Sequence, residues 1–419
     1  MKTHIITIGD EILIGNTLNT NAAFIGEKLT EKDFNIIKTS VVGDEEEAIL
    51  NEFEDVFIKN DIIIVTGGLG PTHDDITKKC VTKFFNTGLK LNKEILADVE
   101  ERVKKRGLEL TELINEQALV PEIATPIRNR RGTAPGIWIE KDNKVFVSMP
   151  GVPHEMSAMI EDFVIPKLVE KFGNQNDNKI TTHLLTTGIP EVFLYQKLGD
   201  LDELLSGAKM AFLPSQFGVK MRLTVTGESK EDAHNKISEI EQLIRSKVGR
   251  YIYGKDNETI EQVVGRLLKD RCLTLATAES CTGGLISSRI TNIGGSSAYF
   301  ERGFVTYSNG AKVEELNIDE DLIEQYGAVS IEVARYMAEG ARKVSGTDIG
   351  LAVTGIMGPT GATEDKPIGL VYIGISDEKV CTARKYNFGD DDRLLNKDRT
   401  SQAALEMLRR NLLGIPYDE

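Results

Sequence analysis

The chain has 419 residues, 40% hydrophobic and 27% charged, with a formal net charge of −15. That length exceeds one hydrophobic core and predicts roughly two or three domains, and the acidity disfavours direct nucleic-acid binding, which needs clustered Lys and Arg. Four scattered cysteines without a CxxC pair argue against a disulfide framework or a zinc site, and only five histidines are present to build a metal centre.

The N-terminal apolar run is short and ends in an acidic turn, unlike a signal peptide, and no run approaches the roughly 20 residues of a membrane span. A cytoplasmic location is expected. Residues 5–8 read as a strand running into Gly9-Asp10-Glu11. A helix over 22–32, a strand over 35–42 and a helix over 45–58 follow, with Asp44 suited to cap the last. A buried strand over 61–65 leads into Thr66-Gly67-Gly68-Leu69-Gly70-Pro71. This rhythm implies a parallel sheet covered on both faces. Helices over 93–105 and 109–119 precede strands near 137–139 and 145–147, and Pro153 opens a long helix over 154–172.

A polar linker at 173–178 marks a boundary, and a small block of strands and helices fills about 179–250. Beyond a second boundary near 254–257 the α/β rhythm resumes. Helical spacing of Ile260, Val263, Val264, Leu267 and Leu268 predicts one amphipathic helix. Strands are expected over 272–277, 303–307, 349–354, 370–376 and 380–387, and a last helix carries Leu405, Leu408 and Leu412. The reading gives three parts, residues 1–172, 179–252 and 256–415.

Two stretches carry the chemistry. In the first part, Gly9, Gly67, Gly68 and Gly70 allow backbone N–H groups to approach a phosphate, with Thr66 and Thr72 beside them. Asp10, Glu11, Asp74 and Asp75 are hard oxygen ligands for a divalent cation, magnesium or a transition metal such as cobalt or manganese. His73 reads more simply as a solvated loop residue. In the last part, residues 277–312 concentrate serines and glycine pairs with a lysine and no histidine. A serine nucleophile with a lysine base is the chemistry such a stretch allows. Cys281, flanked by small residues and lacking a histidine partner, reads as buried filler.

The motifs GDE, VGD and TGGLGPTHDDIT, with PGVPHEM at Pro150–Met156, resemble the molybdopterin-binding (MoaB/MogA-like) domain of the CinA family. The later AESCTGG, GSSAYFERGFVTYSNGAK, GAVS and TGIMGPTGA resemble that family's nicotinamide-nucleotide amidase module. The resemblance covers nearly the whole chain. It implies an N-terminal three-layer α/β domain, a small α+β KH-like connector and a C-terminal α/β amidase domain. It implies hydrolysis of nicotinamide mononucleotide (NMN) to nicotinate mononucleotide and ammonia by the last domain, which needs no cofactor. It also implies metal-dependent cleavage of ADP-ribose to AMP and ribose 5-phosphate by the first, with Glu155 of PGVPHEM added to the phosphate-binding set. Relatives make molybdopterin binding an alternative, and a non-catalytic competence or DNA-damage scaffold another.

For the amidase the reading makes Ser297 the nucleophile and Lys312 its base, with Ser280 as the competing serine, otherwise a substrate or phosphate binder, and Tyr307 to relay a proton or orient the serine. Thr282, Gly283, Gly284, Thr354, Gly355 and Gly358 would bind substrate, with Arg393 or Arg399 on its 5′-phosphate. The family's shorter Gly-Asp-Arg is here Gly389-Asp390-Asp391-Asp392-Arg393, which leaves the choice of arginine open. The connector lacks the basic GxxG loop of nucleic-acid-binding KH modules and reads as a spacer. A homodimer is expected.

Overall fold

The computed structural model describes residues 1–72, 75–105, 107, 116–173, 178–389 and 391–417. The chain divides into two compact units, Met1–Asp177 and Asn178–Glu419.

The first unit contains β1 (Lys2–Ile8), β2 (Asn35–Val42), β3 (Ile62–Thr66), β4 (Leu89–Leu91), β5 (Leu119–Pro121), β6 (Thr125–Ile127), β7 (Gly136–Lys141) and β8 (Lys144–Met149). The main sheet runs β2-β1-β3-β8-β7-β6. Strands β2, β1, β3 and β8 are parallel, and β7 turns back antiparallel to β8. The period of two in a strand sorts its apolar residues to opposite faces. Ile5, Ile62, Ile64 and Val147 pack on one face with Ile25 and Leu29 of helix Thr20–Glu31. Ile6, Ile63, Val65 and Phe146 pack on the other with Phe53 of helix Glu46–Lys59 and Phe85 of helix Thr77–Phe85. This is the expected three-layer arrangement. Burying each such side chain contributes about 1.5–3 kcal/mol, which is why both faces of β3 are apolar.

Three local expectations change. The long helix over 154–172 is helix Pro153–Met159, a π turn at Ile160–Val164 and helix Ile165–Phe172. Pro166 has no N–H to give the preceding turn, and the widened turn absorbs the loss. Asp44 does not cap the next helix, which starts behind Glu45; its carboxylate accepts instead from the Asp10 amide at 2.9 Å. The helix expected over 109–119 lies mostly outside the described residues, and its last residue, Leu119, opens β5.

The second unit begins with β9 (Lys179–Thr186), β10 (Lys209–Ser215), β11 (Gly218–Thr226) and β12 (Ile252–Lys255), an antiparallel sheet in the order β10-β11-β9-β12. Helix Lys230–Val248 covers it through Ile237, Ile240 and Ile244. Then come β13 (Leu275–Glu279), β14 (Phe300–Val305), β15 (Ile349–Gly355), β16 (Leu370–Ser376) and β17 (Cys381–Asn387), ordered β14-β13-β15-β16-β17. Strands β14, β13 and β15 are parallel, while β16 and β17 are antiparallel. Helix Ile331–Ser345 lies close against one face: a Cβ on Gly350 would sit 2.0 Å from the Ala338 carbonyl, and one on Gly374 2.2 Å from that of Ala334. Helices Ile260–Asp270 and Arg393–Leu413 cover the other face.

Strand β13 starts three residues later than expected, because Cys272 takes a positive φ of 54° and Thr274 is tied to the Asp348 carboxylate. Strand β14 starts three residues earlier, at Phe300 rather than Gly303, so Thr306 and Tyr307 lie beyond its end.

Candidate active site

In parallel strands every carboxyl end lies on the same edge of the sheet, where α/β folds gather their chemistry. Ser280 follows β13, Thr306-Tyr307-Ser308 follow β14, and Gly355 ends β15. Ser308 caps helix Asn309–Leu316 by accepting from the Ala311 amide at 3.1 Å, and that helix carries Lys312 back toward β13. Lys312 is 1% exposed. Its Nζ donates to Ser280 Oγ at 3.3 Å and to the carbonyls of Thr306, Tyr307 and Ser308 at 3.0, 3.3 and 3.4 Å. No carboxylate pairs with it among the described residues, and burial pushes its ammonium below the ordinary lysine value.

Ser297 lies elsewhere. It is exposed on the short turn Ser296–Ala298, three residues before β14 starts. Because Phe300 pairs with Leu275 and Val305 with Glu279, Ser297 is at the amino edge of the sheet and Ser280 at the carboxyl edge. Five residues of strand, about 16 Å at ~3.3 Å each, separate the edges. The expected pairing of Ser297 with Lys312 is therefore replaced by Ser280 with Lys312.

A residue absent from the sequence reading orders this corner. Glu279 is fully buried at the end of β13, and its carboxylate accepts five hydrogen bonds. The donors are the Thr282 hydroxyl, the amides of Gly284, Ile286 and Ser287, and the Ser287 hydroxyl. Thr282 is consequently turned inward, with no exposed surface to offer a substrate. Gly283 and Gly284, at φ of 63° and 94°, make the left-handed turn that folds this segment over Glu279. The sequence signal was an acid at the end of an apolar strand; its donors come from further along the chain and only the fold assembles them. Cys281 is buried, and burial pushes its thiol up to about 12, so it is held as the neutral thiol.

Two basic residues of helix Arg393–Leu413 lie beside this corner. Arg393 donates to the Gly358 carbonyl at 2.8 Å and to the Tyr307 hydroxyl at 3.3 Å, which places Tyr307 and Arg393 together beside the segment that leads into the Lys312 helix. Lys397, one turn along the same helix, brings Nζ to 3.7 Å from where a Cβ on Gly283 would lie; the sequence reading passed it over. Thr354 is 1% exposed and donates to the Ala328 carbonyl at 2.8 Å, and Gly355 has the Leu370 carbonyl against it. These two shape the strand end rather than face a ligand. Arg399 points away, donating to the Phe388 carbonyl at 3.5 Å on another cavity wall.

In the first unit, the carboxyl ends of β1, β3 and β8 also converge. Thr66 donates to the Pro150 carbonyl and accepts from Asn21 Nδ2, both at 3.1 Å, and Asn21 Nδ2 reaches the Gly151 carbonyl at 2.6 Å. Asn21 was not singled out from the sequence. Gly67 lies so close to β1 that a Cβ there would be 2.0 Å from the Ile8 carbonyl, and one on Gly68 would strike Thr77. Glu155, in the first turn of its helix, accepts from Asn129 Nδ2 at 2.6 Å. Thr72 donates its amide and hydroxyl to Asp75, whose carboxylate lies against Gly70. The Glu11 carboxylate lies over Gly9, and Asp10 Oδ1 accepts from the Asp44 amide at 3.2 Å. His73 and Asp74 lie outside the described residues. Among the described residues no three His, Cys, Asp or Glu side chains gather as a metal site; Asp10, Glu11 and Asp75 are the described carboxylates that would contribute oxygen ligands to a divalent cation. Nor is any helix among them long and apolar enough to cross a membrane.

The architecture defines the class: a molybdopterin-binding-like α/β domain, a KH-like connector and an α/β domain with a buried serine–lysine pair. Family models match in the same order. Residues 4–170 match the model described as "Probable molybdopterin binding domain", residues 181–254 the damage-inducible protein CinA KH domain, and residues 257–412 the CinA C-terminal domain. A CinA-like protein of Kosmotoga olearia is 41% identical over 415 residues, covering 99% of this chain and 100% of that one. A CinA-like protein of Chloroherpeton thalassium is 40% identical over 422 residues, covering 98% and 99%. The crystal structure of a competence/damage inducible protein from Agrobacterium tumefaciens is 38% identical over 36% of this chain and 94% of that one, with a TM-score of 0.34. The chain belongs to the CinA family.

Proposed function

We propose that the C-terminal domain hydrolyses the carboxamide of nicotinamide mononucleotide, with Ser280 as nucleophile and Lys312 as its base. The observation that carries this reading is the buried Lys312 Nζ at 3.3 Å from Ser280 Oγ, without a carboxylate partner among the described residues. Burial disfavours the Lys312 ammonium, so its amine is a better proton acceptor than an ordinary lysine's. Lys312 takes the Ser280 proton as Oγ bonds to the carboxamide carbon, and the carbonyl electron pair moves onto the carboxamide oxygen. The C–N bond then breaks as Lys312 returns the proton to the departing ammonia. Water, deprotonated in turn by Lys312, attacks the acyl carbon, and Ser280 leaves with its proton restored. Arg393 and Lys397 supply the positive charge for the 5′-phosphate. Incubation of the full-length protein with NMN and measurement of ammonia tests the reading; no ammonia from the wild-type protein, or undiminished release from Ser280→Ala, overturns it.

A second reading concerns the first domain, favoured by the glycine backbone at Gly67–Gly68 beside the buried Thr66–Asn21 pair. It takes the phosphates of ADP-ribose and releases AMP. Formation of AMP from ADP-ribose, assayed with and without a chelator, tests the activity and its metal dependence separately. No AMP in either condition overturns the reading.

A further inference from the structure

Within the second unit a cavity of about 570 Å³ lies between the KH-like block and the helix Arg393–Leu413, inside the range of roughly 300–1,000 Å³ typical of small-molecule sites. None of Ser280, Tyr307, Lys312 or Arg393 lines it. Its walls have two kinds of surface. Tyr386 and Phe388 stack with centroids 6.0 Å apart and planes 16° apart, giving a flat aromatic wall. Phe217, in the β10–β11 turn, also lines the cavity, held under the Arg289 guanidinium at 5.3 Å. The second kind is charged, with a cationic excess. Arg399, Arg410 and the Glu406 carboxylate line the cavity, and Arg410 is 6% exposed. Its Nε is bound to Glu406 and its Nη1 to the Pro416 carbonyl. Its Nη2 faces Gly188 on the wall, 3.6 Å from where a Cβ would lie.

We propose that this cavity is a binding site for a small flat aromatic anion, its ring against Tyr386 and Phe388 and its charge toward Arg399 and Arg410. Stacking and charge-assisted hydrogen bonds then act on opposite ends of one ligand. A nucleobase carrying a phosphate and a pyridine carboxylate both have this chemistry. The helix that forms the floor starts at Arg393, on the amidase side, and passes Arg399 and Ala403 into the cavity. Arg289 meanwhile joins Phe217 to Ser401 and Gln402 of that helix. An occupant is therefore placed to alter how Arg393 meets substrate, a consequence that rests on the amidase reading, whereas binding itself does not.

The probe is 1-anilinonaphthalene-8-sulfonate, an aromatic anion whose emission rises in apolar surroundings, titrated onto the full-length protein. Saturable binding is expected, at least tenfold weaker in Ala403→Phe, which fills the cavity. It is expected to be at least threefold weaker in Phe217→Ala, a turn residue whose loss spares the core, and unchanged in Ser280→Ala. Wild-type affinity in Ala403→Phe, or in Phe217→Ala should the first variant not fold, overturns the proposal. Displacement of the dye by adenosine monophosphate assigns a nucleotide and by nicotinate a pyridine carboxylate; displacement by neither at millimolar concentration overturns the assignment to this class. Dye that changes the KM for NMN in the wild type and not in Ala403→Phe supports the coupling, and dye that binds without changing it overturns the coupling alone.

Discussion

Replacing Ser280 by alanine removes the hydroxyl that meets Lys312 Nζ at 3.3 Å and leaves the three carbonyl contacts of that lysine in place. The loss to stability is that of one hydrogen bond, about 0.5–1.5 kcal/mol, so the protein should stay folded at assay temperature. The loss to chemistry is far larger, because no other hydroxyl is bonded to Lys312 among the described residues. A fall in kcat/KM of at least a thousandfold is expected, about 4 kcal/mol of barrier at roughly 1.4 kcal/mol per tenfold. Ser297→Ala, at an exposed turn on the opposite sheet edge, should change activity less than twofold and stability by no more than about 0.5 kcal/mol. The assay is ammonia release from NMN coupled to glutamate dehydrogenase, with a thermal melt of each variant. A Ser280→Ala protein retaining a tenth of the rate, or a Ser297→Ala protein losing it, would refute the assignment.

The lowered pKa of Lys312 carries a sign. The unfolded chain, with an ordinary lysine near 10.5, binds that proton more tightly than the folded one, so this residue's contribution makes stability rise with pH between the lowered folded value and 10.5. Lys312→Met should remove that part of the slope, read as the difference between variant and wild-type melts across pH; parallel curves would count against it. The kcat/KM for NMN should likewise rise with pH along a limb centred below 10.5, and a rate flat through the neutral and alkaline range would contradict a lysine base. Arg393→Ala should raise KM for NMN at least tenfold with kcat changed less than threefold. Nicotinamide riboside, which lacks the phosphate, should be handled alike by variant and wild type, and a selective loss of kcat would point to another role. Glu279→Gln turns a nitrogen toward a ring of donors and should cost roughly 3 kcal/mol; an unchanged melt would show that the five hydrogen bonds are replaceable.

Much of the fold was legible because the apolar runs are long and the breakers clear. The strand at Asn35–Val42, the helix at Lys93–Lys105 and the strand at Leu370–Ser376 sit where their pattern puts them. The break at Ile160–Val164 was missed because the apolar stripe continues through it, and only the missing N–H of Pro166 distinguishes that segment from an unbroken helix. Asn21 and Lys397 were invisible for a different reason: each is an ordinary polar residue on a helix, and only the sheet and the adjoining turn give them partners.

Topology alone separates the two serines relative to Lys312. Both serines lie between β13 and β14 in sequence, which made the one in the Gly-Gly-Ser-Ser turn look as near to Lys312 as the other. In a parallel crossover, however, the residue after the first strand and the residue after the second share an edge, while those just before the second strand lie on the opposite edge. Ser280 follows β13 and Lys312 follows β14, so the pair is set by the direction of the strands; Ser297 precedes β14 and is excluded by the same rule. Sequence separation points the wrong way, since Ser297 is 15 residues from Lys312 and Ser280 is 32. For a site built on parallel strands, which side of a strand a residue falls on carries more information than how many residues separate it from its partner.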